Sequence, residues 1–216
     1  MDPALPPTLA KLLDPAVRLT PAIELIAVLA FAFSGFAEAR KKQMDVVGVF
    51  VVAFVTAFGG GTLRDLLLDR RPFYWVEHYE YVIMILVLTM VVTPVMRIAH
   101  RLVPHWAYVT ADAIGLGFFS IAGLAFALQA DMPWIIAAML GVVTGVFGGI
   151  LRDVIVNEVP MVLSDRKPYA LAAFIGCCVC LVMLKAGVPA DLAAWSSAAL
   201  IVAVRMIAWR KNWSIR

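Results

Sequence analysis

The stretch Gly60-Gly61-Thr62-Leu63-Arg64-Asp65 recurs as Gly148-Gly149-Ile150-Leu151-Arg152-Asp153. The offset, 152 minus 64, is 88 residues. At the same offset, without gaps, Glu24 matches Asp112, Phe31 matches Phe119, Gly35 matches Gly123 and Thr56 matches Thr144. Further along, Pro72 matches Pro160, Glu77 matches Asp165 and Tyr81 matches Tyr169. A duplication of this kind decides the architecture before single elements are assigned.

The sequence around the two copies belongs in lipid. Of 216 residues, 63% are hydrophobic and 15% charged, with a mean hydropathy of +0.91. Soluble domains run at roughly 45–50% apolar and about 25% charged. An ordinary soluble enzyme and a disordered chain are excluded. The net charge, 18 minus 15, is +3. It is too small and dispersed for a phosphate-binding surface, which excludes a nucleic-acid partner.

A helix needs roughly 20 residues to cross the hydrocarbon core, and backbone in lipid must satisfy itself within the segment. Seven apolar runs qualify, at about 22–39, 46–64, 79–97, 106–128, 133–151, 169–187 and 192–210. Each repeat unit holds three of them. An odd-span unit repeated in tandem inserts its second copy upside down, about an axis in the membrane plane. The expected fold is an all-α polytopic membrane protein, with two inverted three-helix repeats plus one C-terminal helix. Residues 1–21 form an N-terminal surface arm, 22–100 the first repeat and 106–188 the second. Residues 189–216 hold the seventh helix and a basic C-terminus. The arm lacks a basic region followed by an apolar run, so the first span is expected to act as an uncleaved targeting signal.

Loop charges set the orientation. Arg40, Lys41 and Lys42 follow the first span; Arg97, His100, Arg101 and His105 follow the third. Arg205, Arg210, Lys211 and Arg216 close the chain. With seven spans these share one side, which places the N-terminus outside and the C-terminus in the cytoplasm.

The second span of each unit ends in glycines: Gly59, Gly60 and Gly61, then Gly148 and Gly149. Such clusters permit a helix break, and paired breaks at membrane depth point to a permeation or binding site. Close helix packing is the other reading, because Ala53, Ala57 and Gly61, like Gly141, Gly145 and Gly149, fall at small-xxx-small spacing. On the break reading, Pro72 and Pro160 end a short half-helix. Arg64, Asp65, Arg152 and Asp153 follow the glycines, and Glu24 and Asp112 open the first helix of each unit. Ionised groups in lipid face the interior and pair. An arginine–carboxylate pair in each unit is one reading. The other has carboxylates attracting cations while the arginines control access. Thr56 and Thr144 lie one turn before the glycines and either line a pore or bond back to their own helix. For Ser34 and Ser120 the back-bond is expected. Cys177, Cys178 and Cys180 share one apolar run and read as packing residues, with no metal partner nearby.

Tandem three-span units, each with Gly-Gly-x-Leu-Arg-Asp on its second span, resemble the bacterial branch of the trimeric intracellular cation (TRIC) channels. That family is also labelled a paired glycine transporter domain family. The resemblance covers about residues 20–210. It implies a homotrimer in the bacterial inner membrane with an hourglass pore inside each protomer. It implies that helices 2 and 5 line that pore, kinked at Gly59, Gly60, Gly61, Gly148 and Gly149. Monovalent cations, mainly potassium, are the implied permeant ions, with no other cofactor. The implied partners are other copies of the chain, membrane lipid, and potassium or sodium ions. The alternative function is a secondary transporter of a small zwitterion such as glycine, which the inverted repeat equally suits. No nucleophile, base and partner group converge in the sequence, so an enzyme is not expected.

Overall fold

The computed structural model describes residues 21–98, 104–164 and 167–213. The expected surface arm, apart from Pro21, lies outside the described residues, as do His100, Arg101, Asp165, Arg166 and Arg216. The described residues form nine helices: α1 Pro21–Lys41, α2 Val46–Leu67, α3 Tyr74–Glu77, α4 Tyr79–Ile98, α5 His105–Gln129, α6 Trp134–Ile155, α7 Met161–Ser164, α8 Ala170–Lys185 and α9 Ala190–Arg210. Each of the seven expected spans coincides with one of the longer helices. Helices α1, α2, α5, α6 and α9 are long and apolar enough to cross a membrane, while α4 and α8 are shorter apolar helices. The single-turn helices α3 and α7 were not expected from sequence. They follow the two motif copies.

Helix ends obey the repeat. Past α2, Arg70 N–H donates to the Asp65 carbonyl at 2.8 Å and Asp69 N–H to Leu66 at 3.3 Å. Past α6, Glu158 N–H donates to Asp153 at 2.8 Å and Asn157 N–H to Val154 at 3.0 Å. These are Schellman closures, which need one left-handed residue. Asp69 (φ 49°) and Asn157 (φ 57°) supply it, 88 residues apart. Asp and Asn tolerate that conformation because their short side chains bond locally. The closures correct one expectation: Pro72 and Pro160 end no half-helix, because α2 and α6 have already stopped at Leu67 and Ile155.

Helix α5 is the axial element. It is buried along nearly its whole length and packs against α1, α6, α8 and α9. Lipid gives helices no hydrophobic reason to associate, so close approach of small residues must hold them. Gly115, Gly117, Gly123 and Ser120 on α5 meet Phe31, Ala198, Thr144 and Gly145 on α1, α9 and α6. By contrast, α4 presents Ile83, Leu86, Val87, Met90 and Val91 outward.

Candidate functional site

Helices α2 and α6 cross backbone to backbone. A Cβ added at Gly60 would fall far inside 3.0 Å of the Thr144 carbonyl oxygen, and one at Gly148 would also fall well inside 3.0 Å of that of Thr56. The two contacts exchange under the 88-residue offset, so the crossing is a local two-fold. The break expected at Gly59–Gly61 and Gly148–Gly149 is absent: α2 and α6 run unbroken through both clusters. Close packing accounts for Gly60 and Gly148. Gly59 faces the Leu151 side chain. Gly61 faces Nη2 of Arg64, 3.8 Å from an added Cβ, and Gly149 faces the Tyr169 hydroxyl at 3.2 Å, with Asp112 Oδ1 at 3.7 Å and Arg152 Nη2 at 3.8 Å.

The hydroxyls of Thr56 and Thr144 donate to carbonyls of their own helices, Val52 at 2.6 Å and Leu140 at 2.7 Å. Ser34 departs from its expected back-bond. Its oxygen accepts from Arg152 Nη1. The buried Ser120 hydroxyl likewise makes no back-bond among the described residues, and sits beside Gly145.

A charge cluster flanks the crossing at each end. At one, Arg64 donates from Nε (2.9 Å) and Nη2 (2.7 Å) to Asp65 Oδ1. Asp65 Oδ2 accepts the Tyr74 N–H at 2.7 Å, which ties α3 to the end of α2. Tyr74 in turn donates its hydroxyl to Glu24 Oε2 at 2.8 Å. At the other end, Arg152 donates from Nε to Asp153 Oδ1 at 2.8 Å and from Nη1 to Asp112 Oδ1 at 2.7 Å. Asp153 Oδ2 accepts the Met161 N–H at 2.8 Å, which ties α7 to α6. Tyr169 donates to Asp112 Oδ2 at 2.9 Å. Both arginines are paired in this structure, with different carboxylates. Arg64 takes its sequence neighbour, and Arg152 takes both its neighbour and Asp112.

Arg205 was read from sequence as a C-terminal loop charge. The structure buries it inside α9, 1% exposed. Its Nη2 lies 3.0 Å from Met161 Sδ and its guanidinium 4.7 Å from the Tyr169 ring centroid. Contacts thus run in a closed ring from Arg205 through Met161, Asp153, Arg152, Asp112 and Tyr169 back to Arg205. In the first cluster the contacts close on a smaller circuit, from Arg64 through Asp65 to Tyr74, whose ring centroid lies 5.8 Å from the Arg64 guanidinium.

The separation of the clusters can be read along α5. Arg64 stacks on Phe126 at 3.9 Å and Arg152 on Tyr108 at 5.0 Å. Eighteen residues at 1.5 Å rise put those rings roughly 27 Å apart along the axis, close to the thickness of a bilayer's hydrocarbon core.

Comparison with known proteins gives this geometry a family. The family model described as "Glycine transporter" matches twice, over residues 22–97 and 109–185. The inner membrane protein YadS of Escherichia coli K12 is 40% identical over 154 residues, covering 71% of this chain and 73% of that one. The membrane protein YvgT of Bacillus subtilis is 34% identical over 71% of this chain and 75% of its own. A structure described as the basis for conductance through TRIC cation channels superimposes with a TM-score of 0.81. Its identity is 34%, over 92% of this chain and 97% of the other. The chain belongs to the bacterial TRIC channel family. The TRIC orthologue from Rhodobacter sphaeroides agrees, with a TM-score of 0.82 and 32% identity over 89% of this chain and 98% of its own. A C. elegans TRIC channel at 14% identity and a TM-score of 0.61, covering 94% and 95%, shares the fold. The two family-model matches fall on the two halves of the TRIC duplication. Beyond the motif, sequence reasoning missed Tyr74, Tyr169, Met161 and Arg205 as site residues. The Tyr81–Tyr169 match was the one available signal, and the structure uses Tyr74 instead of Tyr81 against Glu24.

Proposed function

We propose that this protein is a monovalent cation channel, mainly for potassium, conducting through each protomer of a homotrimer along the α2–α6 crossing. The observation that carries the reading is the likeness to a TRIC cation channel at 34% identity over 92% of the chain. The geometry supports it. In this conformation backbones touch at Gly60 and Gly148, so the path is shut there and conduction requires α2 and α6 to part. Arg64 and Arg152 do not repel an entering cation outright, because carboxylates neutralise both.

The fold is taken as three plus three plus one, with α1, α2 and α4 inverted relative to α5, α6 and α8, and α9 outside. Placement of the two clusters at opposite ends of α5 supports that inversion. Lys42 pairs with Glu158, and His105 lies against Trp209, which gathers the basic loops at one end. By the positive-inside bias that end is cytoplasmic, with the N-terminus outside. The inner membrane is the proposed location, as it is for the E. coli relative. No catalytic role is proposed.

Transport of a small zwitterion such as glycine gains one observation: Glu24 and Arg64 line the same cavity. Proteoliposomes separate the two functions. A channel releases trapped potassium down its gradient with no substrate needed on the opposite side. Labelled-glycine counterflow without potassium release would overturn the channel reading.

A further inference from the structure

Two aromatic rings stand between the charge clusters. Phe31 on α1 and Phe119 on α5 are partners under the 88-residue offset, and their ring centroids lie 5.3 Å apart. Both helices place them midway. On α1, Glu24 belongs to one cluster, Ser34 reaches Arg152 of the other, and Phe31 falls between them. On α5, Tyr108 carries Arg152 and Phe126 carries Arg64. Phe119 falls between those two rings, roughly 16 Å from the first and 10 Å from the second along the axis. The hydroxyls of Thr56 and Thr144 at the crossing are spent on their own helices.

The two rings are not held alike. Phe31 is 0% exposed and Phe119 6%. Phe31 lies in a seat made by two glycines. A Cβ at Gly115 would fall far inside 3.0 Å of its ring, and one at Gly148 would lie 3.1 Å from it. The mate of Gly115 is Ala27, so on the other half a methyl group occupies the equivalent seat. At Gly60, the mate of Gly148, the atoms nearest an added Cβ are backbone atoms of Thr144 and Gly148. Phe119 instead borders a cavity with Gly61, Arg64 and Tyr74, of about 310 Å³ including its open mouth. Ala122, the mate of Ser34, lines the same cavity.

We propose that Phe31 and Phe119 form a dry plug across the conducting path, and that Phe119 is the half that moves. The proposal rests on the channel reading and adds to it the residues that keep the shut path free of water. Parting of the backbones at Gly60 and Gly148 makes space, but an ion follows only where water does. A hydrophobic constriction shuts a pore by dewetting, and two facing rings present only carbon between the clusters. Phe31 is walled in by Gly115 and Gly148 and is the anchor. Phe119 has the cavity beside it, so the plug opens toward the Arg64 cluster.

The test is potassium release from proteoliposomes holding wild type, Phe119→Asn or Phe119→Leu, each shown to be folded. The two replacements are close in size and differ in polarity. A wetted plug conducts, so Phe119→Asn should release potassium severalfold faster than both Phe119→Leu and wild type. A packing role alone would lower the thermal midpoint in both variants and leave their release rates together. Ala27→Gly opens the missing seat for Phe119 and should slow release below wild type; it decides the matter if Phe119→Asn fails to fold. Equal rates in folded Phe119→Asn and Phe119→Leu, or release from Ala27→Gly as fast as from wild type, overturn the plug. Wild-type release with either of those results leaves the channel reading standing. Silence in wild type and in folded Phe119→Asn alike overturns the channel reading itself, and the plug with it.

Discussion

Substituting Gly60 by alanine puts the α2–α6 crossing under direct strain. The added Cβ falls inside 3.0 Å of the Thr144 carbonyl oxygen and at 3.0 Å from its carbon, whereas ordinary contact begins at 3.4 Å. The obstacle is backbone, so no rotamer change relieves it and the helices must part. Overpacking of this kind costs typically about 1–3 kcal/mol. If conduction needs the same parting, the cost falls on the closed state alone. A coupling of about 1–3 kcal/mol shifts an equilibrium roughly 5- to 150-fold. Gly60→Ala, and by the local two-fold Gly148→Ala, should therefore raise open probability in bilayer recordings by that order while lowering the thermal midpoint. The neighbouring glycines are built-in controls. At Gly59 the obstacle is the Leu151 side chain, which can swing away, and at Gly61 an added Cβ meets only Arg64 Nη2 at 3.8 Å. Gly61→Ala should leave gating near wild type and strengthen the helix by up to about 1 kcal/mol. Folded Gly60→Ala protein that opens less than wild type, or no differently from Gly61→Ala, would refute the reasoning.

Asp112→Asn removes one of the two carboxylates paired with a guanidinium that is 0% exposed. Asp153 still neutralises Arg152, so the loss stays below the about 3–5 kcal/mol of a fully broken buried pair; the thermal midpoint should fall, and further than in Glu24→Gln, where no ion pair is lost. Arg205→Ala opens the ring that joins α9 to the Arg152 cluster and should cost about 1–3 kcal/mol in thermal unfolding; an unchanged midpoint would show that the ring carries no stability. Cys177 and Cys180, at 0% and 3% exposure, should resist a membrane-permeant maleimide in the folded protein, while the half-buried Cys178 reacts faster. Equal labelling of all three before unfolding would contradict the packing of α8 against α5 and α6.

Much of this architecture was legible in the sequence because lipid imposes few choices. Long apolar runs must be helices, and the longer helices coincide with the expected spans. The 88-residue register also surfaced in detail that no hydropathy argument reaches, such as left-handed Asp69 and Asn157 closing α2 and α6. Other features depended on tertiary contact. Three adjacent glycines serve a break or a close crossing equally well, and only the nearness of Thr144 to Gly60 decides between them. Arg64 and Arg152 look equivalent in sequence, yet Ser34 against Ala122 and the unduplicated α9 give them different surroundings. Arg205 read as a terminal basic charge because the chain carries three more beyond it, and its burial against Met161 and Tyr169 has no sequence signature. The single-turn helices α3 and α7 were too short to register as periodicity, although each supplies a backbone N–H to a motif aspartate.

The central claim is that ions cross each protomer at the α2–α6 contact, and reversal of unitary current tests it most directly. Purified protein, shown to be folded and inserted, is recorded in a planar bilayer with asymmetric potassium chloride. The account predicts discrete current steps that reverse near the potassium equilibrium potential, with openings more frequent in Gly60→Ala. Silence across the voltage range, or reversal near the chloride potential, would contradict it.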